Sequence, residues 1–247
     1  MCTLILMHHV VPSMPLLVLA NRDEMIDRPS RAPSLLRRNP AVFCGRDEKE
    51  GGTWCGINEH GVFVGLTNLT LRAPEPGRRS RGLLCTDMLL CVTAAEAEQA
   101  ARHLQAQLYN PFNLVVSDGV HAFRVQYDDE TTVELLAPGI YATTNWPRGR
   151  DGDAKRERSE ERVAAAIQGS VEVSSLVVAL QNLARTHERN GDPRASLCCH
   201  AHGYGTRCSS IIGRGVNGQT MFVHADGSPC TTPYEDLGAR VAEAFGV

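Results

Sequence analysis

At 247 residues the chain is long enough to bury a substantial core, and with no long linker in view it reads as one domain over residues 1–247. Its formal charge of -3 and isoelectric point near 6.3 lack the basic excess of a nucleic-acid binder, and no apolar run reaches the length of a membrane span. Nine cysteines, an odd number without a small-domain framework or the marks of a signal peptide, predict reduced thiols in a cytoplasmic protein.

In chain order, Cys2 to Met7 and Leu16 to Ala20 predict two short apolar strands, joined by a segment with Pro12, Ser13 and Pro15 that suits a turn. Antiparallel pairing about that turn joins positions summing to about 24, which sets Cys2 opposite Arg22. A second hairpin is predicted from Thr53 to Asn68, turning at Asn58-Glu59-His60-Gly61, with Val62 to Leu66 as a buried return strand. Arg78-Arg79-Ser80-Arg81 reads as a solvated loop. Thr93 with Glu96 makes a capping box that opens an alanine-rich helix running to about Leu108.

Strands at Phe112 to Ser117, Ala122 to Tyr127, Thr131 to Leu136 and Ile140 to Thr144 read as a meander. The mixed charges from Gly149 to Glu161 suit a mobile loop that enters a helix over Ser159 to Gln168, and Ser174 to Arg185 predicts another. Strands at Ser209 to Ile212 and Gln219 to His224 flank Gly213-Arg214-Gly215-Val216-Asn217-Gly218. A dinucleotide fingerprint of that spelling must lead into a helix; here it leads into a strand, so it predicts a hairpin turn. An amphipathic stretch from Tyr234 to Phe245 follows. Strands and helices grouped in blocks predict α+β layers rather than alternating βαβ units.

Cys2 is the residue with the most chemistry. If Met1 is trimmed, one residue carries both a thiol and a free α-amine, which are a nucleophile and a base. With ordinary values near ~8.5 and ~8, the neutral amine can take the thiol proton near neutral pH without a histidine. If Met1 stays, the nitrogen is locked in a peptide bond and that base is lost. The competing reading makes Cys2 an ordinary strand residue, and Asn21, Arg22 and Asp23 a turn with a surface ion pair.

Five strings in order, Asn21-Arg22-Asp23-Glu24, Gly51-Gly52-Thr53-Trp54, Thr67-Asn68, Tyr109-Asn110 with Phe112-Asn113-Leu114, and Tyr204-Gly205-Thr206-Arg207, resemble the NRDE-motif family, which includes the Transport and Golgi organisation 2 proteins. That family is similar in turn to the N-terminal-nucleophile hydrolases, and most to their penicillin V acylase and bile salt hydrolase branch. The resemblance implies a four-layer αββα sandwich. It implies Cys2 as nucleophile, Arg22 and Asp23 orienting thiol and amine, Asn68 and Asn145 lining an oxyanion pocket, and Arg207 completing the polar cluster near the amine. Glu24 falls outside the site, because strand alternation turns it away from Asp23. Cys208 stands where relatives suggest a small hydroxyl residue, and residues 148–161 match nothing in the family.

Three functions compete. One is an amidohydrolase that cleaves a non-peptide carbon–nitrogen bond through an acyl-Cys2 intermediate, with no metal or cofactor, on a small-molecule substrate. Another is a carrier for haem or a similar hydrophobic ligand, and the third an adaptor in secretory-pathway and Golgi organisation that keeps the fold without hydrolysis. Cys198-Cys199-His200-Ala201-His202 packs soft ligands closely, but metal sites usually draw on two separated pairs and no second pair is visible, so no metal is expected and the segment reads as a flexible loop. His8-His9 reads as a surface pair at a strand end. With only Lys49 and Lys155 for lysine, the arginine excess reads as codon bias without mechanistic weight.

Overall fold

In the computed structural model, which describes residues 2–128, 130–147, 153–170, 172–188 and 192–247, regular structure begins with β1 (Thr3–His8) and β2 (Leu16–Met25). It continues with β3 (Ser30–Arg37), β4 (Val42–Asp47), β5 (Cys55–Asn58), β6 (Phe63–Asn68), α1 (Arg81–Met88) and α2 (Ala94–Arg102). Next come β7 (Phe112–Ser117), β8 (Ala122–Asp128), β9 (Glu130–Leu135), β10 (Gly139–Thr143), α3 (Ala154–Gln168) and α4 (Val173–Ala184). A 3-10 turn at Pro193–Ala195 leads to β11 (His200–Ala201), β12 (Tyr204–Arg214), β13 (Thr220–Ala225), β14 (Glu235–Asp236) and α5 (Gly238–Phe245).

The chain divides into two compact units, each with one seven-stranded sheet. The first holds residues up to Asp27, Pro138–Thr144 and Gly149–Gly238; the second holds Arg28–Ala137, Asn145–Arg148 and Ala239–Val247. Among the described residues no helix is long and apolar enough to cross a membrane.

In the first unit the strand order is β10-β1-β2-β12-β13-β14, with β11 paired to β12. The β1–β2 register runs from Thr3 opposite Asn21 to His8 opposite Leu16, so paired numbers sum to the expected value. Leu16 to Ala20 is uninterruptedly apolar because both faces of this strand are buried, which removes the usual alternation. Ile5, Met7, Leu17, Leu19 and Ile211 pack with Leu176, Leu180 and Leu183 of α4, and each such side chain contributes about 1.5–3 kcal/mol when fully buried. The glycine-rich string ends β12 with Gly213 and Arg214 and then makes the predicted hairpin turn into β13, with Gly218 at φ 80.

In the second unit the order is β3-β4-β5-β6-β7-β8-β9, entirely antiparallel. Val42, Val62, Val64, Leu114, Val116 and Val125 make its core with Leu84, Cys85 and Met88 of α1 and Ala94, Ala97 and Ala101 of α2. Gly52 approaches α1 so closely that a Cβ there would lie 2.1 Å from the carbonyl carbon of Gly82, while Gly51 turns the chain at φ 79. The two glycines of the Gly51-Gly52-Thr53-Trp54 string thus let the β4–β5 connection lie against a helix.

Several predicted boundaries move. β10 leaves the meander and pairs with β1 in the other sheet, because Pro138 and Gly139 break the run after β9. α2 stops at Arg102, six residues early; Tyr127 accepts from Leu108 N at 3.1 Å and donates to Gln105 O at 2.7 Å, holding residues 103–108 as turns. α3 starts at Ala154, where Asp153 accepts from Arg156 N, so the charged stretch from 154 to 161 is helix rather than loop, and 148–152 lie outside the described residues. The arginine cluster is not merely solvated: Arg78 donates to Tyr109 O at 2.7 Å, Arg81 donates to Pro111 O at 3.0 Å and Arg81 begins α1. β3 escapes the sequence reading because it mixes arginine, serine and proline with apolar residues, and β4 because its apolar run of Val42, Phe43 and Cys44 is short and gives way to Gly45, Arg46 and Asp47.

The β5–β6 turn is held by one side chain. Asn58, fully buried, donates to Leu89 O at 2.9 Å and Cys91 O at 2.7 Å and accepts from His60 N at 3.0 Å and Val62 N at 2.9 Å. Replacing it by leucine strands buried backbone groups at roughly 1–3 kcal/mol each, so Asn58→Leu is expected to lower stability by about 3 kcal/mol or more. Urea denaturation should show a lower midpoint at unchanged slope.

Candidate active site

β2 carries the Asn21-Arg22-Asp23-Glu24 string inside the sheet rather than in a turn, and Asn21, Arg22 and Asp23 are all buried. Strand alternation puts Arg22 on the opposite face from Asn21 and Asp23. Asn21 donates to Ala184 O at 3.0 Å and Leu197 O at 2.9 Å, tying the end of α4 and the segment before β11 to the sheet. Glu24 accepts from Met25 N at 2.8 Å.

Asp23 is the hub. Its Oδ1 accepts from Thr206 Oγ1 at 2.6 Å, Lys155 Nζ of α3 lies 3.9 Å from Oδ2, and its backbone carbonyl accepts from Tyr204 OH at 3.1 Å. Cys2 Sγ donates to the same carbonyl at 3.4 Å. The thiol therefore meets the main chain of Asp23, and the carboxylate acts on it through space. Burial pushes the Cys2 thiol above its ordinary value, the Asp23 charge pushes it the same way, and Arg22 pulls it down. Tyr204 is likewise held neutral, first by burial and then by the Cys2 and Asp23 charges, so its hydroxyl serves as a donor.

Thr206 also accepts from Cys199 N at 2.8 Å, and its own amide donates to Cys199 O at 2.9 Å. In the β2–β12 ladder Asp23 faces Thr206 and Arg22 faces Cys208, so Arg207 is the extra residue of a bulge between them. Arg207 Nε is buried without a hydrogen-bond partner among the described residues. Burial pushes the Cys208 thiol up to about 12, which leaves it inert at neutral pH.

Asn68 and Asn145 belong to the second unit. Asn68 ends β6 opposite Phe112, and two residues on, Thr70 N donates to Asn145 O at 2.8 Å. That bond brings the two asparagines into one neighbourhood of their unit. Asn145 is buried, and its Oδ1 has no partner among the described residues.

Cys2, Arg22, Asp23 and Arg207 thus come from the first unit, and Asn68 and Asn145 from the second. Residue 1, on which the amine depends, lies outside the described residues. Sequence reasoning missed Tyr204, Thr206 and Lys155. The Tyr204-Gly205-Thr206-Arg207 string carried the signal for the first two, whose roles went to Arg207 alone. Lys155 was set aside as an accident of composition; it is buried and also donates to Arg194 O at 3.3 Å. His8, expected at the surface, is buried in β1.

The family model described as Transport and Golgi organisation 2 matches residues 1–226. The human Transport and Golgi organization protein 2 homolog is 28% identical over 234 residues, 84% of each chain. Among solved structures, penicillin V acylase from Agrobacterium tumefaciens aligns with a TM-score of 0.63 at 12% identity, over 96% of this chain and 86% of the acylase. A mutant of the conjugated bile acid hydrolase from Clostridium perfringens aligns with a TM-score of 0.61 at 11% identity, over 97% and 93% of the two chains. These likenesses show the α+β fold of the N-terminal-nucleophile hydrolases.

The opposed charges at Cys2 give signed expectations. Alkylation of Cys2 by iodoacetamide, followed by peptide mass spectrometry across pH, should have a midpoint above that of a free thiol. Asp23→Asn should shift that midpoint down and Arg22→Gln should shift it up. Thr206→Val, which strips Asp23 of its hydroxyl donor, should cost about 1–3 kcal/mol in urea denaturation, and Thr206→Ser much less.

Proposed function

The chain belongs to the Transport and Golgi organisation 2 family, and we propose that it is a cysteine hydrolase of amide bonds that acts through an acyl-Cys2 intermediate. The observation that carries the reading is the placement of Cys2 Sγ 3.4 Å from the Asp23 carbonyl, beside the buried Arg22, Asp23, Lys155 and Thr206 and the part-buried Tyr204. Burying so many charged and polar groups is expensive in free energy, and such arrangements concentrate at functional sites. An acylase and a hydrolase of conjugated bile acids share the fold, which supports acyl transfer over other chemistries.

Burial keeps the resting thiol protonated, so attack needs a base at the sulfur itself. In the processed chain that base is the α-amine of Cys2. The amine takes the Sγ proton as sulfur bonds to the substrate carbonyl carbon. It then gives that proton to the departing nitrogen as the carbon–nitrogen bond breaks, leaving a thioester that water hydrolyses to the acid and free thiol. Asp23, fixed by Thr206, supplies negative charge that favours the protonated amine, and Arg22 supplies a permanent positive field beside the sulfur. The oxyanion roles of Asn68 and Asn145 are part of the proposal on the strength of the motif, since a neutral amide can donate to a developing oxyanion.

The test uses untagged protein whose N-terminus has been read by intact mass. Chains that begin at Cys2 should form an acyl adduct on Cys2 with an activated ester or amide and release it by hydrolysis. Cys2→Ala should form none, and Asn68→Ala or Asn145→Ala should slow adduct formation about a hundredfold or more. A chain that keeps Met1 in its native host, or a Soret shift with added haem and no adduct under any condition, would sink the hydrolase reading.

A further inference from the structure

Outside this cluster the first unit gathers a second set of reactive side chains. His187 follows the end of α4, Cys198 precedes β11, His200 lies in β11, and Cys230 sits in the connection from β13 to β14. Among the described residues, one ligand atom from each of these four lies within 4.8 Å of the others. The separated pair that sequence reading failed to find is supplied by His187 and Cys230, and neither Cys198 nor His200 belongs to a flexible loop. Cys198 is fully buried and His200 is paired in the sheet with Gly205.

Three of the spacings, those among Cys198, Cys230 and His200, are close to the edges of a coordination tetrahedron, and His187 lies within reach at up to 4.8 Å. With Zn–S near 2.3 Å and Zn–N near 2.0–2.1 Å, ideal edges are about 3.8 Å between sulfurs and about 3.5 Å between sulfur and nitrogen. Cys198 Sγ and Cys230 Sγ are 3.5 Å apart, and His200 Nε2 lies 3.6 Å from the first and 3.1 Å from the second. The sulfurs are too far apart for a disulfide bond, which needs about 2.05 Å. The His187 and His200 rings lie 5.2 Å apart between centroids. His187 Nδ1 is 2.8 Å from the Cys198 carbonyl, which can only accept, so Nδ1 carries the hydrogen and Nε2 is left with its lone pair. A backbone carbonyl fixing the tautomer of a histidine is the usual support of a metal-ligating imidazole.

From this geometry we infer that His187, Cys198, His200 and Cys230 form a zinc site of the Cys2His2 type. Binding releases the two thiol protons, so a dipositive ion and two thiolates make a neutral centre. Four protein ligands fill the tetrahedron and leave no open position, which makes the site structural. It pins the end of α4, the strand β11 and the β13–β14 connection to one another. It also bears on the nucleophile's surroundings, since Leu197 and Cys199 on either side of the ligand Cys198 accept from Asn21 and donate to Thr206, the partner of Asp23.

The full chain without a histidine tag, kept under a mild reductant, should carry about one zinc per chain by elemental mass spectrometry. Cobalt exchanged into it should give the intense visible bands of a tetrahedral ion with sulfur-to-metal charge transfer. Cys230→Ser and His200→Ala should lose both signals, whereas His202→Ala, just beyond the cluster, should keep them. Thermal unfolding of the wild-type chain should rise with added zinc and fall with a chelator. Failure of folded wild-type protein to take up zinc or cobalt after reduction would overturn the inference. So would weak octahedral cobalt bands, full metal content in Cys230→Ser, or a Cys198–Cys230 disulfide in protein never exposed to oxidant. The cobalt spectrum of the wild type decides the matter even if every variant unfolds.

Discussion

The hydrogen bond from Thr206 to Asp23 is the constraint on which the site depends. A carboxylate at 4% exposure is tolerable only where its oxygens are answered by donors or cations, and Thr206 and Lys155 provide these from β12 and α3. Because Thr206 can reach Asp23 only when β2 and β12 pair in a single register, the bond also fixes that register. The bulge at Arg207 follows from it: one extra residue must be accommodated between the partners of Asp23 and Arg22.

This arrangement separates two jobs that adjacency in the motif would merge. Asp23 and Arg22 are neighbours in sequence but project to opposite faces of β2. Asp23 and Asn21 face the helices and hold the sheet to α3, α4 and the segment after α4. Arg22 lies on the other face, and the thiol donates to the Asp23 carbonyl between the two projections. The structure thereby gives Cys2 a fixed position, a negative group on one side of the strand and a positive group on the other.

Much of this was legible in the residues. The β1–β2 register followed from the turn prolines, and the Gly213–Gly218 string was rightly read as a turn because the residues after it have strand character. What escaped has identifiable physical causes. Lys155 was invisible because a lysine inside a run of charges looks solvated, and only the tertiary fold buries it against Asp23. β3 was invisible because an edge strand tolerates arginine and serine. His187 stands 11 residues before Cys198 and Cys230 stands 32 after it, so the second half of the ligand set is split to either side of the first and no close pair in the sequence marks it. β10 failed as part of the meander because its sequence says strand but cannot say which sheet.

The distance along the chain between β2 and β12 shapes how the molecule comes into being. Thr206 emerges 183 positions after the carboxylate it holds, which at ordinary ribosomal speeds of 5–20 residues per second is about 10–40 s. Throughout that interval the strand bearing Asn21, Arg22 and Asp23 has β1 on one side but lacks β12 on the other. Pairing of β2 with β12 is therefore a late event set by topology, and the carboxylate of Asp23 can be buried with its partner only once almost the whole chain has been made.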